Sequence, residues 1–163
     1  MRVPSILAVA LVATIAVAAG ACGGDSPVAP DDPEAVRSPV GTFTLTTVNG
    51  ATVPMLWDEM PLGEGRVLKA YWNGGSIRFR SDSSFTVVYR HTLTGPFLPG
   101  TVQEDTYDGT WRLTPGPKLE LRQKGGSVQY WQTTDAIRSV TRTASVPRIG
   151  GGEEQVVFVF VRD

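Results

Sequence analysis

The sequence predicts an all-β domain, an antiparallel up-and-down barrel of about eight to ten strands, with a β-sandwich as the alternative architecture. Three observations carry this reading. From Gly41 onward the dominant hydrophobic period is two, as in Phe43 and Leu45 set among threonines. Tight-turn signals recur every few residues, among them Asn49-Gly50, Ser81-Asp-Ser-Ser84 and Pro115-Gly-Pro117. Successive hairpins without long crossovers leave a purely antiparallel chain two ways to manage its sheet edges, closing into a barrel or packing two sheets.

The elements follow in order. Gly41 to Val48 reads as a first strand ending in the hairpin signal Asn49-Gly50. Ala51 to Gly65 holds two prolines and two glycines, which predicts a loop or short helical turn whose Met55, Leu56 and Trp57 cover the core. Arg66 to Trp72 alternates again, and Asn73-Gly74-Gly75 is expected to turn the chain. Ser76–Ser81 and Ser84–Leu93 form the clearest hairpin, with Ile77, Phe79, Phe85, Val87 and Tyr89 inward and Arg78, Arg80 and Arg90 outward.

Gly95 to Gly100 reads as a loop, Thr101 to Tyr107 as a polar edge-like strand, and Asp108-Gly109 as a turn. Thr110–Thr114 and Lys118–Gln123 make a second hairpin, with Trp111, Leu113, Leu119 and Leu121 inward, and Ser127–Thr133 follows. Asp135 to Val146 mixes helical spacing with β-favouring threonine, serine and valine, and strand is preferred. Gly150-Gly-Gly152 is a turn, and Gln155–Arg162, apolar on both faces, is a closing or central strand.

The first forty residues have a different character. Arg2, the apolar run Ile6–Ala19 and the small residues Ala19, Gly20 and Ala21 are the three parts of an export signal covering residues 1–21. The run is shorter than the roughly 20 residues of a spanning helix, and no basic flank follows it. Residues 22–40 contain four prolines and no aromatic residue, a composition that cannot bury enough apolar surface to order itself, so they are expected to be a disordered tether to a domain at 41–163.

Small residues directly before Cys22 resemble the lipobox of bacterial lipoproteins, although Ala19 stands where that family most often has leucine. The resemblance implies that Cys22 is acylated and becomes the new amino terminus. Otherwise it is a leftover free thiol; as the one cysteine, it permits no intramolecular disulfide. More than one acyl chain is needed for stable anchoring, at about 0.8 kcal/mol per buried methylene. The expected location is therefore the cell envelope, lipid-anchored to a bacterial membrane, the outer membrane before the inner.

The domain also resembles bacterial lipocalin-like lipoproteins, through Gly41-Thr-Phe-Thr-Leu-Thr with Val48-Asn-Gly and Val53-Pro54, through Gly75-Ser-Ile-Arg-Phe-Arg-Ser-Asp-Ser-Ser-Phe85, and through Gly109-Thr-Trp-Arg-Leu with Leu119-Glu-Leu121. Lipocalins carry Gly-x-Trp in the first strand; here that strand has Gly41-Thr-Phe43, and the tryptophan form, Gly109-Thr-Trp111, lies mid-chain. The resemblance implies a small calyx with an interior for an apolar ligand, and carries over no ligand and no catalytic residue.

Chemistry-bearing motifs are sparse. His91 is the single histidine, which excludes multi-histidine metal sites, and no cofactor or metal is expected. In alternation with Tyr89 and Leu93, it reads as a hydrogen-bonded, partly buried residue. There is no Gly-x-Ser-x-Gly elbow, and Gly150-Gly-Gly152-Glu153-Glu154 lacks the lysine of a phosphate loop. The carboxylates at Asp58-Glu59, at Glu104-Asp105 with Asp108, and at Glu153-Glu154 read as solvated loop charges, and no enzyme is expected. A net charge of −1 without a basic stripe gives no basis for nucleic-acid binding.

Two functions remain. One is a membrane-tethered binding module that takes a small hydrophobic molecule among Phe43, Phe79, Phe85, Tyr89, Trp111, Tyr130 and Phe158. The other is a non-catalytic envelope structural or interaction protein with a filled core, since a barrel of about eight strands can be filled by its own side chains. An open void of about 300 Å³ or more favours the first.

Overall fold

A computed structural model describes residues 38–134 and 136–163. The expected export signal, Cys22 and the tether lie outside the described residues, except for residues 38–40. The described chain is all-β, with ten strands: β1 (Gly41–Val48), β2 (Ala51–Thr52), β3 (Met55–Gly63), β4 (Arg66–Phe79), β5 (Ser84–Gly95), β6 (Leu98–Thr114), β7 (Lys118–Gln123), β8 (Val128–Thr133), β9 (Ser139–Pro147) and β10 (Glu153–Arg162).

Every neighbouring pair is antiparallel, in the order β2-β1-β10-β9-β8-β7-β6-β5-β4-β3. A further β1–β4 pairing, Gly41↔Phe79 through Thr44↔Ser76, closes eight of the strands into an up-and-down barrel. β2 and β3 lie outside the ring, on β1 and on the first half of β4. The expected barrel is thus observed, and the sandwich alternative is not.

Local chemistry explains the turns. Asn49 and Gly50 both have positive φ, 49° and 80°, which suits the two-residue hairpin that pairs Val48 with Ala51. The Asn49 side chain also accepts from the Val157 N–H of β10 at 2.8 Å, fixing that turn to the closing strand. Asp82 accepts from the N–H and hydroxyl of Ser84, as expected of the serine-rich turn between β4 and β5.

Four expectations are corrected. Ala51 to Gly65 is mostly strand: β3 pairs only with β4, and such an edge position tolerates the missing N–H of Pro61. Asn73-Gly74-Gly75 does not turn the chain. β4 runs through it, with a bulge opposite β5 between Trp72 and Gly74, where its other edge passes from β3 to β1. A Cβ on Gly75 would lie 2.5 Å from the Val88 carbonyl oxygen, so glycine here admits close strand contact.

The expected loop at 95–100 reduces to the short connection between Gly95 and Leu98, and Asp108-Gly109 is likewise no turn. Leu98 to Gly100 and Asp108-Gly109 lie along β6, one seventeen-residue strand that pairs with β5 as far as Thr110 and with β7 from Gly109 to Thr114.

The alternation sorts the faces as expected. Phe43, Leu45, Ile77, Phe79, Phe85, Val87 and Tyr89 are all buried, with Leu119, Leu121, Trp131, Val140 and Phe160. Leu113, expected inward, is 36% exposed near the end of β6. The end of the barrel bearing the β4–β5 turn is solid. Phe79 packs edge-on against Phe43 at 5.7 Å and Trp111 at 5.8 Å, and Trp131 stacks on Phe160 at 5.8 Å. Such aromatic pairs contribute about 0.5–1.5 kcal/mol each beyond their buried area.

Candidate functional site

The other end of the barrel is hollow. A cavity of about 500 Å³, open to solvent, lies between the upper halves of β4, β5 and β9, with Trp57 of β3 over one side. Period two places its wall. On β4, Ala70 and Trp72 face inward; on β5, Tyr89, His91 and Leu93 continue the face begun by Phe85 and Val87; on β9, Arg142, Ala144 and Val146 continue from Val140. Phe158 of β10 and Tyr89 meet at 5.3 Å at the floor, and Trp72 closes on Phe158 at 5.2 Å.

The structure divides the seven expected lining aromatics. Tyr89 and Phe158 line the cavity. Phe43, Phe79 and Trp111 belong to the packed end, and Phe85 touches only a small separate void of about 30 Å³, room for one or two waters. Tyr130 is corrected: it is 61% exposed and directs its hydroxyl toward Glu120, 3.4 Å away on the outer face. Trp131, one residue on, takes the inward place and donates its Nε1–H to Gln129 Oε1 at 3.2 Å. β8 carries an aromatic on each face, so alternation alone does not tell which is inside.

The floor also carries charge. Arg142 donates from Nη1 to the Tyr89 hydroxyl oxygen at 2.7 Å, and its guanidinium lies over the Tyr89 ring at 5.4 Å and the Trp131 ring at 5.6 Å. Burial pushes the Tyr89 phenol above its ordinary pKa despite the neighbouring guanidinium, so the hydroxyl stays protonated at neutral pH. Arg142 makes no ion pair with a carboxylate among the described residues. Its inward position was available to sequence reasoning, since it stands in register with Val140, Ala144 and Val146; its charge argues against that face, and only the cavity explains it.

His91 behaves as a partly buried, partnered residue. Its Nε2 lies 3.1 Å from Gln103 Oε1, and its ring meets Trp72 edge-on at 5.9 Å. Nδ1 is 3.5 Å from an Asp105 carboxylate oxygen, within ion-pair range yet without hydrogen-bond geometry, and the atom is buried without a partner.

The rim is held by Asp58, which is buried at 4% exposure on β3. Arg148, in the turn between β9 and β10, donates to its Oδ1 at 2.6 Å, and the Ile149 N–H donates to Oδ2 at 2.7 Å. The Arg148 hydrogen bond is the main cause that holds the Asp58 carboxyl below its usual pKa of 3.8. Asp58, expected to be a solvated loop charge, instead ties the β3 edge to the opposite hairpin across the side of the cavity.

No group of three or more potential metal-ligating His, Cys, Asp or Glu residues occurs among the described residues. The fold and cavity define a closed eight-stranded antiparallel barrel, packed at one end and open at the other. Comparison with protein-family models, curated proteins and solved structures finds no match to this chain.

Proposed function

We propose that the protein is a membrane-tethered binding module of lipocalin-like type, whose barrel takes a small hydrophobic molecule through its open end. The observation that carries the reading is the cavity of about 500 Å³, above the roughly 300 Å³ where small-molecule sites begin, with Trp57, Trp72, Leu93, Val146 and Phe158 in its wall. The tether follows from the sequence alone: acylation of Cys22 moors the barrel to the envelope membrane, and residues 23–40 set its reach. The second reading, an interaction module, draws support from apolar side chains outside the barrel. Phe97 at the β5–β6 turn is 80% exposed, and Leu62 and Leu98 at the same end of these hairpins are 40% and 44% exposed.

Native mass spectrometry of the protein extracted from its own membranes separates the two. A co-purifying small molecule, displaced with a rise in tryptophan accessibility to quencher, is the expected result. Protein that emerges empty and takes up no apolar probe on titration would overturn the binding reading.

A further inference from the structure

Among the described residues, three buried side-chain nitrogens have no hydrogen-bond partner: Trp72 Nε1, His91 Nδ1 and Arg142 Nε. All three belong to residues that line the one cavity. Native proteins leave few buried polar groups unpaired, so a cluster in one open cup marks where a partner binds. The nitrogens of Trp72 and Arg142 carry protons and only donate. The Tyr89 hydroxyl accepts from Arg142 and makes no other hydrogen bond among the described residues, which leaves its own proton to be donated. Around Arg142 the floor thus offers donors alone; the acceptor among the three orphan nitrogens is His91 Nδ1, whose lone pair is free when Nε2 donates to Gln103 Oε1 in the neutral ring.

Charge narrows the partner further. Water in the cup would satisfy the donors but leave the Arg142 guanidinium without a counter-charge. The rings of Tyr89 and Trp131 offset only part of that, since a cation over an aromatic face gains about 0.5–2 kcal/mol. Of the other charged groups facing the cavity, Arg148 is held by Asp58 and Glu154, and Asp105, half-exposed beside His91, makes no ion pair with Arg142. Asp105 repels an anion from the His91 side, so Arg142 is the place for one. Above it the wall is mainly apolar, through Trp57, Leu93, Ala144 and Val146.

We propose that the cavity takes a single-chain amphiphile with a carboxylate head, the head seated on Arg142 and the Tyr89 hydroxyl and the chain rising past Trp72 toward the mouth. This rests on the binding reading above and specifies its ligand.

The test is titration of the full chain with laurate, lauryl alcohol, methyl laurate and lauryl trimethylammonium, read by native mass spectrometry and Trp fluorescence. Laurate should bind at least about tenfold tighter than the alcohol or ester, since charge-assisted pairing to a partly buried guanidinium is worth about that much. Arg142→Gln should erase the preference while leaving alcohol binding in place, and Arg142→Lys should keep part of it. Should Arg142→Gln not fold, the four heads on the native chain still decide. Equal affinity for all four, or preference for the cation, overturns the carboxylate assignment and leaves the binding reading standing. Failure of every amphiphile to bind overturns both.

Discussion

Gly109 offers the sharpest test of how the barrel is packed. It sits mid-strand in β6, opposite Phe85 on β5 and Gln123 on β7. A Cβ there would lie 2.2 Å from the Arg122 carbonyl oxygen, 2.7 Å from Phe85 Cε1 and 2.9 Å from the Arg122 carbonyl carbon. Non-bonded carbons prefer about 3.5–4.0 Å, so Gly109→Ala forces the β6 and β7 backbones apart by more than about 1 Å. Overpacking typically costs about 1–3 kcal/mol, and a clash with backbone belongs at the upper end. Stretched ladder hydrogen bonds add about 1 kcal/mol, and the stiffer unfolded chain returns about 0.4–1 kcal/mol. The net expectation is a loss of about 3 kcal/mol, or a Tm lower by roughly 10 °C for a domain of this size. Urea denaturation followed by Trp fluorescence, with calorimetry, reads both quantities. Gly116→Ala, at φ 81° in open space, is the comparison, with a backbone cost of about 1–2 kcal/mol alone. If Gly109→Ala keeps wild-type stability, or loses less than Gly116→Ala, then β6 does not run straight through this position as described.

Asp58→Asn should lower the urea midpoint at pH 7. Because the folded-state pKa of Asp58 is depressed, its contribution is present above its usual 3.8 and is lost as pH falls through the lower folded value, so the gap between wild type and mutant should narrow steadily as pH falls below 3.8; a gap that stays constant through acid titration would exclude the Arg148 pairing as its origin. Tyr130→Ala should change stability by no more than about 0.5 kcal/mol in the same assay and leave laurate binding intact, as befits an outward side chain; a loss above about 2 kcal/mol would return it to the core. Cys22→Ser should abolish lipid attachment and release the protein from membranes, or block its processing, as judged by mass and fractionation; normal membrane retention of the mutant would refute the anchor.

The barrel was legible because its inner face is written in period two. Ile77, Phe79, Phe85, Val87 and Tyr89 were assignable from alternation, and all are buried. Glycine misled in two places for one physical reason. Gly75 and Gly109 look like turn residues, yet neither has the positive φ that turns exploit, and each is small because a neighbouring strand's backbone leaves no room for a Cβ. Local sequence cannot separate these two uses of glycine. Pro61 misled similarly, since a proline excluded from central strands is acceptable on an edge.

The site was less legible than the fold. Aromatic residues mark the interior without telling which end is filled, so Phe43 and Phe158 looked equivalent although only Phe158 reaches the cavity. Arg142 is hidden from a sequence reading because an inward charge contradicts the binary pattern. Such contradictions are where function tends to depart from foldability.

The seam of the ring has a consequence for how the protein matures. β1 stands at the start of the domain and must join β10 at its end, Phe43 opposite Arg162, and Arg162 also donates to the carbonyls of Ser38 and Val40 at 2.9 Å. No partly emerged chain can complete this wall, so hairpins formed early wait with raw borders until the last strand arrives. A polypeptide cut short before Glu153 would keep most of its greasy residues and both unsealed margins, a recipe for clumping rather than for a smaller working cup.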